Sequence, residues 1–343
     1  MRKLLNTLYV TSPDSYLGLD GENVVVYRDE KEVVRLPLHN LEGIVAFGYT
    51  GASPALMGAC AQRNLSLCFL TQHGRFLARV TGNIKGNVTL RKTQMLLSQD
   101  TEASAIIARN MITGKLFNAR WVLERATRDY ALRVNVERLK RASDFLQNAI
   151  NLSRECGELD TLRGLEGEAA SIYFGVLDEL ILQQKEAFRF SSRNRRPPLD
   201  PVNALLSFSY TLLANDMAAA LETVGLDPYV GFLHRDRPGR ASLALDMMEE
   251  LRPVCADRFV LSLINRREIN ADGFCIQENG AVVMDGDTRK AVLGAWQARK
   301  QDVLTHPYLD EKIPWGLVPY AQALLLARFL RGDIDEYPPF LWK

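Results

Sequence analysis

The hydrophobic period of the chain changes once, and the change divides it. Between residues 4 and 82 short apolar runs alternate with polar positions, the period-two pattern of half-buried strands. Leu8–Thr11, Tyr16–Leu19, Val24–Tyr27, Glu32–Pro37 and Leu41–Phe47 are predicted strands, rich in β-branched and aromatic residues. Turn chemistry separates them, as in Asp20-Gly21-Glu22-Asn23 and Arg28-Asp29-Glu30-Lys31. Pro54–Gln62 reads as a short helix with Ser53 as N-cap and Pro54 at its first position. Leu65–Leu70 and Arg75–Val80 read as a hairpin turning at Gln72-His73-Gly74. The run from Gly82 to Asn87 then punctuates the chain.

Beyond it the period becomes 3.6. Val88–Ser98, Glu102–Arg125, Arg133–Leu152 and Leu162–Glu186 are predicted helices, with Thr101-Glu102 as a start signal. Phe188–Asp200 is a break: it carries Arg189, Arg193, Arg195 and Arg196, then two prolines that forbid a continuing helix. Asp200 and Pro201 restart a long apolar helix as N-cap and first residue. Further helices are expected over Asp257–Asn265, Thr288–Val303 and Pro319–Leu330, with a small hairpin at Phe274–Met284. The tail EYPPFLWK is Pro-aromatic and extended, and is expected to dock on a surface, its own or a partner's. The fold class is therefore α+β in two domains. A β-rich domain spans 1–82, a linker 83–87, and a larger, mostly α-helical domain 88–343.

Composition narrows the function classes. The formal net charge is +1, so any nucleic-acid binding must come from local patches and not from a global positive field. Five scattered cysteines without a CxxC pair read as buried thiols of a reducing compartment. Four histidines are too few for a histidine-rich zinc site. The N-terminal apolar run is too short for a signal peptide, and no uninterrupted apolar stretch is long enough to span a bilayer. The most apolar window, Ala321–Leu330, contains Arg328. A cytoplasmic protein with no membrane partner is expected. There is no Walker-type loop and no HExxH.

The densest chemistry lies in Gly225–Pro253, GLDPYVGFLHRDRPGRASLALDMMEELRP. His234 and a short basic loop precede a helix whose apolar residues sweep more than half of its circumference. Asp246, Glu249 and Glu250 share the remaining arc. On so apolar a helix these acids face protein, and buried carboxylates must be paired, hydrogen-bonded or metal-bound. Ordinary salt bridges to Arg235, Arg237, Arg240 or Arg252 are one reading. A metal that handles phosphate, with His234 beside the acids, is the other. The arginine loop at 188–200 likewise reads either as a solvated surface or as a mobile clamp for phosphate.

Three blocks then carry a resemblance: LRGLEGEAASIYF at 162–174, PPLDPVNALLSFSYTLL at 197–213, and the segment just quoted. Together they resemble the signature blocks of the universal CRISPR-associated integrase, the catalytic subunit that inserts new spacers into CRISPR arrays. The resemblance runs along the whole chain and is strongest to forms from bacterial type I systems. It implies three metal ligands: Glu166 of the EGxxA element, His234, and Glu249 in the LALDxxE-like helix. Asp246 becomes an alternative ligand or the group behind one, while Glu168 and Glu250 are set aside. Pattern alone leaves Asp246 and Glu249 open, since both lie on the acidic arc. Gly164 and Gly167 flank Glu166 on a helix, where glycine costs roughly 1 kcal/mol relative to alanine, and suggest a close approach by another group.

Two carboxylates and one imidazole suit Mg²⁺ or Mn²⁺. The resemblance implies DNA transesterification, in which a fragment's 3′-hydroxyl attacks a phosphodiester at the edge of a CRISPR repeat without a covalent enzyme intermediate. His234 must be neutral to ligate, so activity should fall at acid pH. Arg235, Arg237 and Arg240 are candidates to clamp flanking phosphates, with Arg193, Arg195 and Arg196 as looser ones. Tyr173 and Tyr210 either bracket the DNA end or pack within helices. The implied partners are double-stranded DNA (prespacer and repeat), a second copy joined through the β-domains, and a small ferredoxin-like CRISPR-associated adaptation protein. Two other readings remain: a metal-dependent nuclease acting on branched or single-stranded DNA, and a non-catalytic DNA-binding scaffold.

Overall fold

The computed structural model describes residues 6–72, 74–82 and 88–343. The expected linker at 83–87 and the expected turn residue His73 lie outside them. The fold is α+β and resolves into two compact units. The first comprises the described residues up to 82 together with Met284–Asp302. The second comprises 88–283 and Val303–Lys343.

In the first unit the strands form two sheets. Strands β1 (Thr7–Val10), β5 (Gly43–Phe47), β6 (Ser66–Leu70) and β7 (Phe76–Val80) lie in that order. The first three are parallel, and β7 returns antiparallel on β6 as the expected hairpin. Strands β2 (Tyr16–Asp20), β3 (Asn23–Arg28) and β4 (Lys31–Pro37) form an antiparallel meander. Its β3–β4 turn sets Asp29 and Glu30 at φ 49° and 61°, the left-handed pair that two-residue hairpins use. Helix α1 (Pro54–Arg63) crosses between the parallel strands β5 and β6. Ser53 Oγ accepts from Leu56 N at 3.2 Å to cap it. The alternation of the strands buries Leu17, Val24, Val26, Ile44 and Leu67 against Leu56 and Cys60 of α1.

Helix α9 (Gly286–Gln301) also belongs to this unit. Arg289 donates to the Gln72 carbonyl and, at 3.3 Å, to that of Thr11, and its guanidinium lies over the Phe47 ring. The expected domain 88–343 is therefore interrupted at 284–302. An amphipathic period shows that a helix buries one face; it does not show against which core.

The second unit is helical: α2 (Val88–Gln99), α3 (Thr101–Asp129), α4 (Val136–Glu155), α5 (Leu159–Gly175), α6 (Pro201–Val224), α7 (Ser242–Glu249), α8 (Arg258–Asn265) and α10 (Val318–Leu330). Two small hairpins, β8 (Phe274–Ile276) with β9 (Val282–Met284) and β10 (Val303–Thr305) with β11 (Lys312–Pro314), complete the strands. Helix α3 packs on α4, α5 and α7, and α6 on α7 and α10. Asp200 Oδ1 caps α6 by accepting from Asn203 N at 2.8 Å, and Gly225 closes it at φ 87°. By length and composition α6 is long and apolar enough to cross a membrane, although Asn203, Asn215 and Asp216 interrupt its apolar run. Its Val202, Leu205, Leu206, Leu213, Met217 and Leu221 are buried within the unit, as in a helix apolar on all sides.

Helix α5 ends at Gly175, short of the expected Glu186. Beyond it Asn265 takes the backbone: its Oδ1 accepts from Leu182 N (2.7 Å) and Gln183 N (3.2 Å), and its Nδ2 donates to Leu180 O (2.9 Å). Those long-range bonds replace the intrahelical ones that periodicity anticipates. The tail docks on its own chain. Tyr337 and Phe340 are fully buried, and Asn118 bridges Phe340 O (2.7 Å) and Trp342 N (3.0 Å). Glu250 accepts from Phe340 N at 2.8 Å and from the Tyr337 hydroxyl at 2.5 Å.

Candidate active site

Three helices of the second unit bring the predicted acids together around a residue the sequence did not single out. Lys115 on α3 places its ammonium against Glu166 of α5 and 2.7 Å from Glu249 Oε2 at the end of α7. The other oxygen of Glu249 lies 2.6 Å from Arg252, one turn further on. Arg252 opens a π-helical turn, Arg252–Asp257, that separates α7 from α8. Arg252 meets Glu249 at the i,i+3 spacing that places helical neighbours on one face. Glu249 is almost wholly buried. Burial alone would push its carboxyl up; the Arg252 guanidinium and Lys115 ammonium overcome that and hold it well below the usual carboxylate range.

Asp246, one turn before Glu249, is fully buried and fully engaged. Its Oδ2 accepts from Phe232 N (2.7 Å) and Leu233 N (2.9 Å). Its Oδ1 accepts from His234 N (3.0 Å) and faces His234 Nδ1 at 2.5 Å. A side chain at Gly231 would meet Asp246 Oδ2 at 2.7 Å, so glycine there is what lets the loop close on the carboxylate. Asp246 thus shapes the histidine loop. It accepts from the protonated Nδ1 of His234 and leaves Nε2 as the ring nitrogen with a lone pair. Gln94 of α2 anchors the start of the loop, with Nε2 2.8 Å from both Asp227 O and Val230 O. Arg163 of α5 holds Leu233 O.

Among the described residues no three histidine, cysteine, aspartate or glutamate side chains surround one metal position. Glu166 and Glu249 meet at the Lys115 ammonium, and His234 is turned to Asp246. Glu250, set aside in the sequence, is buried in the tail's network, not in this site. Burial pushes its carboxyl up to about 7, against the Tyr337, Phe340 and Gln322 donors.

The candidate DNA contacts separate into two groups. Arg193 is tied inward, to Asn203 Oδ1 (2.7 Å) and Ser207 Oγ (3.1 Å), so it fastens the arginine loop to α6 and is not free for phosphate. Tyr173 is buried, while Tyr210 is partly exposed and lines a cleft. Tyr210 donates to Asp257 Oδ1 at 2.6 Å, between the guanidiniums of Arg193 and Arg252. Burial first, and Asp257 second, raise both phenols above their usual range. Burial pushes the Asp257 carboxyl up to about 6 in spite of the surrounding donors. With Lys115, Arg195 and Arg252, the side chains of Tyr173, Tyr210 and Asp257 line a narrow cleft of about 20 Å³. Arg195, Arg196, Arg235 and Arg237 are exposed. Arg235 pairs at 3.1 Å with Asp160. Burial, and then the neighbouring positive charges of Arg237 and Arg196, lower Arg240, so these three arginines form one basic patch.

Gly164 and Gly167 are exposed, and a Cβ at either would meet no atom beyond its own helix backbone and chain neighbours within 4 Å. The close approach expected there is not made within this chain. Lys115 stands on a largely buried stretch of α3 beside Gly114, whose missing side chain admits Glu250.

Residues 8–298 match the family described as CRISPR associated protein Cas1. The chain is 51% identical over 343 residues to the CRISPR-associated endonuclease Cas1 1 of Chlorobaculum tepidum, with all of both chains covered. Among solved structures, a CAS1 protein from Thermotoga maritima superposes with a TM-score of 0.81 at 22% identity, over 95% of this chain and 97% of that one. A casposase bound to integration product superposes with a TM-score of 0.84 at 21% identity, over 98% and 93%. At those identities the two structures share this chain's fold.

Proposed function

This chain belongs to the CRISPR associated protein Cas1 family, and from that premise we propose that it is a metal-dependent DNA integrase of spacer acquisition. It joins the 3′-hydroxyl of an incoming DNA fragment to a phosphodiester at the edge of a CRISPR repeat. The observation that carries this reading is the convergence of Glu166 and Glu249, from two helices, on a single cation position. Beside it, His234 has one ring nitrogen fixed and the other available. Two hard oxygens and one imidazole fit Mg²⁺ or Mn²⁺, with Glu166, Glu249 and His234 Nε2 as ligands. When bound, such an ion polarises a phosphoryl oxygen and stabilises charge on the attacking or leaving 3′-oxygen.

The chain's own residues do the rest. Asp246 keeps His234 in the tautomer whose Nε2 carries no proton. Arg252 compensates the buried charge of Glu249. Arg196, Arg237 and Arg240 receive the phosphates flanking the reacting one, with Arg195 at the cleft and Arg235 once it leaves Asp160. One P–O bond forms to the incoming 3′-oxygen as another breaks. The displaced strand leaves as a 3′-hydroxyl, so the count of phosphodiesters is unchanged and no enzyme intermediate is required.

Two attacks on opposite strands call for two such sites at fixed separation, hence a homodimer. The edge strands β4 and β7 of the first unit support it as the joining surface, with Val33, Val34, Phe76 and Leu77 exposed. The small ferredoxin-like adaptation protein would set the spacing between dimers.

The test is strand transfer with end-labelled duplex and a supercoiled plasmid carrying a CRISPR repeat, with the small partner present. Label should join the plasmid with Mn²⁺, and should fail to join with EDTA or in Glu249→Ala. Shortened label without joining would favour the nuclease reading. Transfer that survives in Glu249→Ala would remove that residue from the site.

A further inference from the structure

The Lys115 ammonium stands where the two proposed ligand carboxylates converge, touching Glu166 and lying 2.7 Å from Glu249. Its side chain is only 11% exposed. It is shared by two carboxylates from different helices. Glu249 already has Arg252 at 2.6 Å, so its charge is compensated without Lys115. Glu166 has no other ion-pair partner within the described residues. Without a cation between them, two carboxylates converging at a partly buried point would repel each other and part. The same lysine also lines a narrow cleft of about 20 Å³, together with Arg195, Arg252, Tyr210 and Asp257. That is room for one water-sized group such as an ammonium, at the end of a long, flexible side chain.

We propose that Lys115 is a resident placeholder: it keeps Glu166 and Glu249 together while no metal is bound, and yields its place by swinging into the cleft when a divalent cation enters. The inference rests on the reading of Glu166 and Glu249 as metal ligands. It adds that metal entry is an exchange of cations. Lys115 therefore lowers apparent metal affinity while it preserves the geometry of the site. After the exchange its ammonium faces the cleft beside Arg195, where it adds one positive charge for a substrate phosphate.

Two measurements on the whole protein test this without reading activity. In the first, Mn²⁺ binding is titrated calorimetrically in wild type, Lys115→Met, Lys115→Arg and Glu249→Gln. Lys115→Met should bind Mn²⁺ about tenfold more tightly than wild type, since a buried charge-assisted bond need no longer be broken. Lys115→Arg keeps the charge and should stay near wild type, and Glu249→Gln should bind weakly. Equal or weaker binding by a folded Lys115→Met overturns the placeholder role. Loss in Glu249→Gln would still uphold the metal site. If Glu249→Gln binds like wild type, the metal reading itself fails, and the inference with it.

The second measurement needs no variant and so does not depend on Lys115→Met folding. Wild-type protein is acetylated with an amine-reactive ester, with and without saturating Mn²⁺, and each lysine is quantified by mass spectrometry. Lys115 labelling should rise several-fold with Mn²⁺ while exposed lysines such as Lys140 do not change. Lys115 labelling that Mn²⁺ leaves unchanged contradicts the exchange.

Discussion

Asp246 shows how much one side chain fixes. Its two oxygens collect three backbone N–H groups and one imidazole nitrogen, so the loop that delivers His234 is built on it. Asp246→Asn removes an acceptor and places a donor against donors. We expect a loss of about 1 to 3 kcal/mol in denaturant unfolding. We also expect Mn²⁺ binding weaker by about 10- to 100-fold, the range for removing a carboxylate behind a ligand histidine. Unchanged binding in a folded variant would show that the histidine loop is held some other way. Glu250, the next acid but one from Asp246, holds the C-terminal tail. Its carboxyl sits at about 7 when folded against an ordinary 4.5. A raised carboxyl stabilises the fold fully below about 4.5, and that contribution is lost as pH rises through about 7. Wild type should therefore lose stability relative to Glu250→Gln between about pH 4.5 and 8, by an amount on the order of 3 kcal/mol. Parallel melting curves across that window would rule this out.

At the scale of elements, the tail and α5 are the informative segments. Phe340 is fully buried, edge-on to His306 at 5.4 Å and Trp315 at 6.0 Å. Phe340→Ala should cost about 3 to 5 kcal/mol in urea unfolding, with the backbone bond to Glu250 retained. On α5, Gly164→Ala and Gly167→Ala meet no neighbour and should each stabilise by up to about 1 kcal/mol. If the opening beside Glu166 admits DNA, the more stable variants should be slower in strand transfer. Equal activity would free those positions of any role toward substrate. The strands, the caps at Ser53 and Asp200, and most helix bounds were legible because period and capping are local. The end of α5 was not, because Asn265 captures the chain there from 82 to 85 residues away. Nor was the return of α9 to the first unit. Glu249 and His234 were visible as acids and a histidine on one short segment. Lys115 was not, since nothing local distinguishes a lysine that spans two helices from one in solvent.

For the whole molecule, the formal net charge of +1 means that DNA affinity must be local. The patch formed by Arg196, Arg237 and Arg240 is where it should reside. Substituting both Arg237 and Arg240 by alanine should weaken duplex binding across sequences and lower the slope of log affinity against log salt by about 2. An unchanged slope would place the phosphate contacts elsewhere. All of this turns on one assignment: that Glu166, His234 and Glu249 together hold the ion. Anomalous diffraction from crystals grown with Mn²⁺ would locate that ion directly. The expected result is a single anomalous peak bounded by one oxygen from each glutamate and by Nε2 of His234, with Lys115 moved into the cleft and Asp246 still behind the ring. A peak on Asp246, or Lys115 unmoved with no manganese between the two glutamates, would contradict it.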